Sequence, residues 1–218
     1  MERVICLAIG YVCGLFQTAY IYGKSKGIDI REKGSGNAGT TNTLRVFGTK
    51  AGLLVLLGDV MKCVIACLIT RFFIVPMFPD EKYLLILYAA AGAILGHDFP
   101  FYMNFKGGKG IAATAGLICC FHWHFFVVGV IVFFTTFFVT HYVSLGSLLV
   151  YAFFLAQMII KGQSGFFGAS QTQLNEMYVI TLILAMIAYG KHWANIKRLL
   201  KGEERKTYLS KKNKEKQQ

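Results

Sequence analysis

The sequence predicts an all-α, polytopic membrane bundle, and three observations carry that prediction. Of its 218 residues 55% are hydrophobic and only 16% charged, whereas a soluble domain carries nearer a quarter charged residues. Apolar runs at 4–22 and 51–70 are each long enough for a membrane-spanning helix of about 20 residues. Lys and Arg are bunched, six in 24–50, two in 106–109 and ten in 191–216, which is eighteen of the twenty-three. In a membrane protein that asymmetry marks the cytoplasmic side. The net charge of +12 is therefore read as an orientation signal, with the basic end "KKNKEKQQ" lying near anionic headgroups, and a nucleic-acid partner is not expected.

The first run, 4–22, is long for the apolar stretch of a signal peptide, and no small-x-small site follows it, so it is read as a retained helix. The second helix is 51–70, and further apolar stretches lie at 83–97, 111–140, 143–160 and 174–190. The 111–140 stretch fits one tilted helix or two broken near "FHWH" (121–124). Parity favours two: if 106–110 and the region from 191 both lie on the cytoplasmic side, an even number of crossings separates them. The expectation is seven transmembrane helices, N-terminus outside and C-terminus cytoplasmic. The 111–121 segment, about 16 Å at 1.5 Å per residue, is a half-span shielded by protein. Residues 1–205 form one integral domain and 206–218 a basic tail. The six cysteines all fall in apolar runs and lack zinc or disulfide spacing, so they are read as small core residues.

Three polar regions then share the cytoplasmic face. In the first, "GSGNAG" (34–39) fits the G-x-G-x-x-G template of a dinucleotide turn, but no strand precedes it and Asp59 lies inside an apolar run, so the template's structural setting is missing. What remains suits an anion. Gly34, Gly36 and Gly39 let the backbone turn and present N–H groups, Ser35, Asn37, Thr40, Thr41 and Asn42 add donors, and "TTNTLRVFG" starts a short helix with Arg45 one turn inside. The second region contains "KGGKG", in which Gly107, Gly108 and Gly110 flank Lys106 and Lys109. It is not a Walker A loop, because Gly110 follows Lys109 where that motif needs Ser or Thr. Its chemistry is that of an anion cradle with two point charges, the alternative being that both lysines are only topology markers. In the third region His192, Asn195, Leu199 and Glu203 fall on one face of an interfacial helix at about 100° per residue. Asp59 and Lys62, three apart on the second helix, read as a buried pair bracing the bundle near the site.

Taken together, "GSGNAGTTNTLRVFG", "GHDFPFYMNFKGGKGIAAT" and "HWANIKRLLKGEE", with "GDVMK" and "THYVSLGSL" between them, resemble the bacterial acyl-phosphate:glycerol-3-phosphate acyltransferases in order and spacing, over essentially the whole chain. Ala38 stands where that family commonly has proline. The resemblance implies transfer of an acyl group from acyl phosphate to the 1-hydroxyl of sn-glycerol 3-phosphate, the first step of phospholipid synthesis. It implies no metal or cofactor, a multi-pass place in the bacterial inner membrane with the site facing the cytoplasm, and other phospholipid-synthesis enzymes as a further class of partner. The His-x4-Asp pair of the other glycerophosphate acyltransferases is missing: residues 102, 127, 129, 146 and 197, five after each histidine, are not acidic.

The expected roles follow. Ser35 with its neighbouring amides, and Lys106 or Lys109, hold one phosphate, and Arg45 holds the other by a bidentate contact. Asn195 donates to the developing oxyanion, and either His192 or a substrate phosphate takes the proton. His97 and Glu203 complete the substrate contacts. The rival reading is a small organic-phosphate transporter, which basic loops and an intramembrane Asp–Lys pair would also suit. Against it, the polar residues gather at one face and no paired broken helices sit at mid-depth.

Overall fold

The computed structural model describes residues 1–208, and within them every regular element is helical. The helices are α1 (Glu2–Gly14), α2 (Thr18–Ser25), α3 (Thr40–Phe47), α4 (Thr49–Ile69), α5 (Lys82–Asp98), α6 (Ile111–Phe121), α7 (Trp123–Thr140), α8 (Val143–Gln163), α9 (Gln171–Lys191) and α10 (Trp193–Leu200). Six segments are long and apolar enough to cross a membrane: Glu2–Ser25, Thr49–Met77, Pro79–Met103, Trp123–Thr140, Val143–Gln163 and Gln171–Lys191. The seventh expected crossing corresponds to α6, which is too short to be one of them.

The 111–140 stretch divides at His122, whose backbone is extended and whose ring accepts the His124 N–H at 3.3 Å, capping α7. The first run departs from its expected continuous helix. It breaks at 15–17, between α1 and α2, because polar side chains claim the backbone there. Lys62 Nζ donates to Phe16 O at 2.8 Å, and Gln17 Nε2 lies 3.1–3.2 Å from the carbonyls of Gly14, Gly96 and His97. Of the expected tail, 209–218 lie outside the described residues, while Thr207 is buried against the body.

The tightest packing joins α1 to α5. Gly10 and Gly14 on one helix face Gly92 and Gly96 on the other, each pair four residues apart. A Cβ at Gly10 would lie 1.9 Å from Ala89 O, and one at Gly92 would lie 2.1 Å from Leu7 O. Membrane helices associate through such small-residue faces because lipid offers no hydrophobic drive between them, so close van der Waals contact has to supply it. At one end of this pair Arg3 bonds Glu176 at 2.8 Å and Glu81 at 3.1 Å, tying the starts of α1, α5 and α9 together. The opposite ends carry the three polar regions. α6 packs on α4, with Gly116 against Val60 O, and α5 and α7 cover it further, so the short helix is largely sheathed in protein.

The glycine contacts give a test. Gly92→Leu forces a side chain into backbone that cannot yield, and overpacking of this kind costs about 1–3 kcal/mol or more. The expected outcome is a clear drop in thermal midpoint in detergent. Gly190→Ala, with nothing within 4 Å of the added carbon, should leave it unchanged or slightly raised.

Candidate active site

The first region folds around Asn42, which is 1% exposed. Its Oδ1 accepts the Ser35 N–H at 2.8 Å, and its Nδ2 donates to Ile30 O at 3.1 Å and Lys33 O at 2.9 Å. Asn42 is therefore the staple of the loop, its polar atoms already engaged, in place of the ligand donor expected from sequence. Gly34 and Gly36 adopt the left-handed conformation that their role as turn residues requires, with φ of 62° and 73°. Gly39 caps α3 at its N-terminus, and Thr43 Oγ1 bonds back to it. Ser35 sits exposed at the tip and Asn37 is half-buried; neither side chain is hydrogen-bonded to protein. Thr40 and Thr41 open α3, and Thr40 Oγ1 is sealed without a partner.

The second region also differs in detail from the expected cradle. The N–H of Gly107 donates to Asp98 O at 3.2 Å and that of Gly108 to His97 O at 3.0 Å, so these amides cap the C-terminus of α5. The free amides lie one step later, at the start of α6, where Gly110 has a φ of 75° and serves as N-cap. A helix N-terminus of this kind favours an anion. Lys109 is half-buried and Lys106 exposed. His97, at 3% exposure, lies beneath the loop beside the Asp59–Lys62 pair, whose members are 3.0 Å apart.

In the third region α10 ends at Leu200, and Gly202, with a φ of 72°, turns the chain away. The helical stripe therefore stops short of Glu203, which is exposed, and the buried carboxylate is that of Glu204. Glu204 Oε1 accepts from Asn195 Nδ2 at 2.6 Å and from Ser144 Oγ at 2.9 Å, and Oε2 accepts from Arg198 Nε at 2.7 Å. Burial alone would raise its pKa, but these bonds hold the carboxyl below its ordinary range. Thr207, two residues beyond Arg205, donates its N–H to His141 O at 2.9 Å.

These regions meet. Lys109 Nζ of the second donates to Asn195 Oδ1 of the third, and Arg45 Nη2 of the first donates to Thr207 Oγ1 at 3.1 Å. Lys191 Nζ donates to Asp98 O at 2.7 Å and lies over the Phe99 ring. Burial lowers the Lys109 pKa to about 8, helped by Arg198 and Arg45 and opposed by Glu204. His192 Nδ1 lies 2.8 Å from Ala188 O, a pure acceptor, so Nδ1 carries the hydrogen and Nε2 presents its lone pair. Burial, then Lys109, lowers the His192 pKa to about 4, which keeps the ring neutral at physiological pH. Ser35 Oγ and Lys106 Nζ make no hydrogen bond to protein and stand outside the linked set. Sequence reasoning missed Ser144, Arg198, Glu204 and Thr207. Ser144, Arg198 and Glu204 lie within the stretches "THYVSLGSL" and "HWANIKRLLKGEE", but their partnerships depend on the chain end folding back. Among the described residues no group of His, Cys, Asp and Glu is arranged to hold a metal.

Residues 4–202 match the family model described as glycerol-3-phosphate acyltransferase. The chain is 36% identical over 207 residues to a glycerol-3-phosphate acyltransferase 2 of Bacillus cereus, covering 94% of this chain and 96% of that protein. It is 38% identical over 208 residues to the glycerol-3-phosphate acyltransferase of Halalkalibacterium halodurans, with the same coverage. Two crystal structures of PlsY (YgiH), an integral membrane glycerol 3-phosphate acyltransferase, share the fold at 26% identity. The glycerol 3-phosphate form has a TM-score of 0.79 over 95% of this chain and 96% of that one, and the lysophosphatidic acid form one of 0.77 over 96% and 97%. This integral membrane chain, helical in every regular element of its described residues, thus belongs to the glycerol-3-phosphate acyltransferase family.

Proposed function

We propose that the protein moves a fatty acyl group from acyl phosphate to the 1-hydroxyl of sn-glycerol 3-phosphate, releasing 1-acyl-glycerol 3-phosphate and inorganic phosphate. The observation that carries this reading is the meeting of the three regions, with Lys109 on Asn195 and Arg45 on Thr207 beside the N-terminus of α6. The hydroxyl oxygen attacks the acyl carbon, the C–O bond to phosphate breaks, and phosphate departs with the electron pair. Phosphate is a good leaving group, so no metal or cofactor is needed. The residues' task is to align two anions and stabilise the tetrahedral oxyanion. Lys109, Arg45 and the first amides of α6 hold phosphate, with Ser35, Asn37 and Lys106 approaching from the loop tips. Asn195 Nδ2 keeps one hydrogen for the oxyanion after bonding Glu204. His192 Nε2 takes the proton. A cleft of about 470 Å³ lined by Leu7, Ala8, Tyr11, Leu95, Phe99 and Phe105, among others, offers the acyl chain an apolar path beginning at the second loop.

The same reading extends to placement: seven crossings counting α6 as a half-span, N-terminus outside, and the cationic loops on the cytoplasmic side of a bacterial inner membrane. Residues 1–205 form the catalytic body. Other phospholipid-synthesis enzymes are the expected neighbours.

The decisive assay uses purified protein in monoolein or detergent with acyl phosphate and glycerol 3-phosphate. Phosphate release that needs both substrates supports the enzyme. Flux of organic phosphate into liposomes without product would establish a transporter instead. Lys109→Gln should lower kcat/KM about ten- to a hundredfold, the worth of one charge-assisted bond, with membrane insertion intact. Lys106→Gln should cost less, because that side chain is exposed and tied to nothing. The pH profile follows from Lys109: kcat/KM should fall as pH rises through about 8, where the free enzyme loses this cation, and Lys109→Arg should remove that limb. His192→Ala should lose well over tenfold in kcat. A loss of only a few fold would hand the proton to a substrate phosphate.

A further inference from the structure

We propose that the Lys62 ammonium fixes His97 as its Nε2–H tautomer, and that this N–H, beneath the Lys106–Gly110 loop, is a donor to the substrate phosphate held there. The proposal rests on the reading of that loop as a phosphate site. It makes His97 a binding residue and Lys62 and Asp59 positioning residues.

The tautomer follows from a count of hydrogens. An ammonium has three donors and no acceptor. Lys62 Nζ has three neighbours at bonding distance: Phe16 O at 2.8 Å, Asp59 Oδ1 at 3.0 Å and His97 Nδ1 at 2.7 Å. The first two only accept, and Thr18 Oγ1 at 3.1 Å completes Asp59 Oδ1. The third hydrogen therefore points at His97 Nδ1, which must present a lone pair. An imidazolium would set N–H against NH3⁺. Asp59 Oδ1 is 3.7 Å from Nδ1, too far to compete for it. A neutral ring with a bare Nδ1 carries its hydrogen on Nε2.

Where Nε2 lies gives that hydrogen its use. A Cβ at Gly108 would stand 2.0 Å from Nε2, so this edge of the ring presses on bare loop backbone. The loop cannot slide, because the Gly107 and Gly108 amides are bonded to the last carbonyls of α5. Those two amides are spent, and the ring N–H stands at the same place. Among the described residues Nε2 has no acceptor, yet it is not one of the sealed, partnerless atoms such as Gln17 Oε1 and Asp59 Oδ2. An N–H held in fixed orientation and without a protein acceptor, directly under Gly108 in the loop that leads into the N-terminus of α6, suits a phosphomonoester oxygen.

The test uses the intact protein in micelles with ring-nitrogen-labelled histidine, the His97 signals being assigned by their loss in His97→Gln. Without ligand the expected spectrum shows Nε2 protonated and Nδ1 bare. Glycerol 3-phosphate, and inorganic phosphate more weakly, should shift the Nε2 signal and slow exchange of its hydrogen. Kinetics supply the second readout. His97→Gln puts an amide N–H near the Nε2 position, whereas His97→Asn puts one near Nδ1. Asn should raise the KM for a phosphate substrate roughly ten- to a hundredfold, and Gln should keep it within several fold of the parent. A purely space-filling ring predicts no such split. An Nδ1-protonated ring, an Nε2 signal blind to both phosphates, or equal KM values for Gln and Asn would overturn the proposal. The spectrum needs no variant at Lys62, so poor folding of Lys62→Met would leave it decisive. If the protein bound phosphate with the expected shift but transferred no acyl group, the donor would stand and the assigned reaction would fall.

Discussion

A buried ammonium group organises the working end of this molecule. Lys62 and Asp59 are 4% and 1% exposed, and an ammonium taken from water is costly unless its hydrogens are met. Lys62 meets that condition by drawing on three elements at once: its own helix through Asp59, the α1–α2 junction through Phe16 O, and α5 through His97. The Phe16 carbonyl is available because the helix is interrupted there. The break in the first span is thus part of the solution to burying a lysine, and Gln17 stitches the same break to Gly96 and His97. Since the loop of Lys106–Gly110 hangs from the carbonyls of residues 97 and 98, its position is set by this group as well.

A second buried charge has the corresponding role for the chain end. Glu204 collects Asn195, Ser144 and Arg198, which joins α10 to α8 and holds the Asn195 amide in one orientation. With Nδ2 committed to the carboxylate, Oδ1 faces Lys109. An isolated asparagine at this place would be free to flip; this one is fixed from both sides, and Lys109 is fixed with it.

The spans and their polar ends were legible because hydrophobic length and lysine placement are local properties. The division at His122 came from charge parity alone. The break at 15–17 was hidden, because a continuous apolar run carries no mark of a lysine forty-six residues later that will take its carbonyl. The glycines at 10, 14, 92 and 96 were a readable signal of close helix contact that composition and span counting passed over. The 100° spacing points to Glu203 only if the helix runs on through Gly202, whose left-handed backbone ends it, leaving Glu203 in solvent and Glu204 in the core. Asn42 and the amides of Gly107 and Gly108 have the right chemistry for a ligand but are engaged by the protein, and sequence does not reveal which donors remain free. Ser144 and Thr207 acquire their roles only when distant segments meet.

The charge balance of the assembled site then bears on what it can hold. Arg198 has a carboxylate partner, Glu204, but Lys109 rests on a neutral amide and Arg45 on a neutral hydroxyl. Lys109 and Arg45 are close enough for the arginine to help depress the lysine's pKa; the Glu204 carboxylate opposes that but hydrogen-bonds neither of them. Such an arrangement is costly while the site is empty, since each charge is partly desolvated and repels the other. An incoming phosphate dianion removes both penalties together, and it also raises the Lys109 pKa so that the lysine is fully charged in the complex. A monoanion or a neutral hydroxyl compound would relieve only part of the repulsion. In the proposed reading, preference for a doubly charged phosphate follows from two partly desolvated cations that hydrogen-bond no carboxylate, whereas an added Asp or Glu partner for Lys109 would stabilise the empty protein and weaken its hold on phosphate.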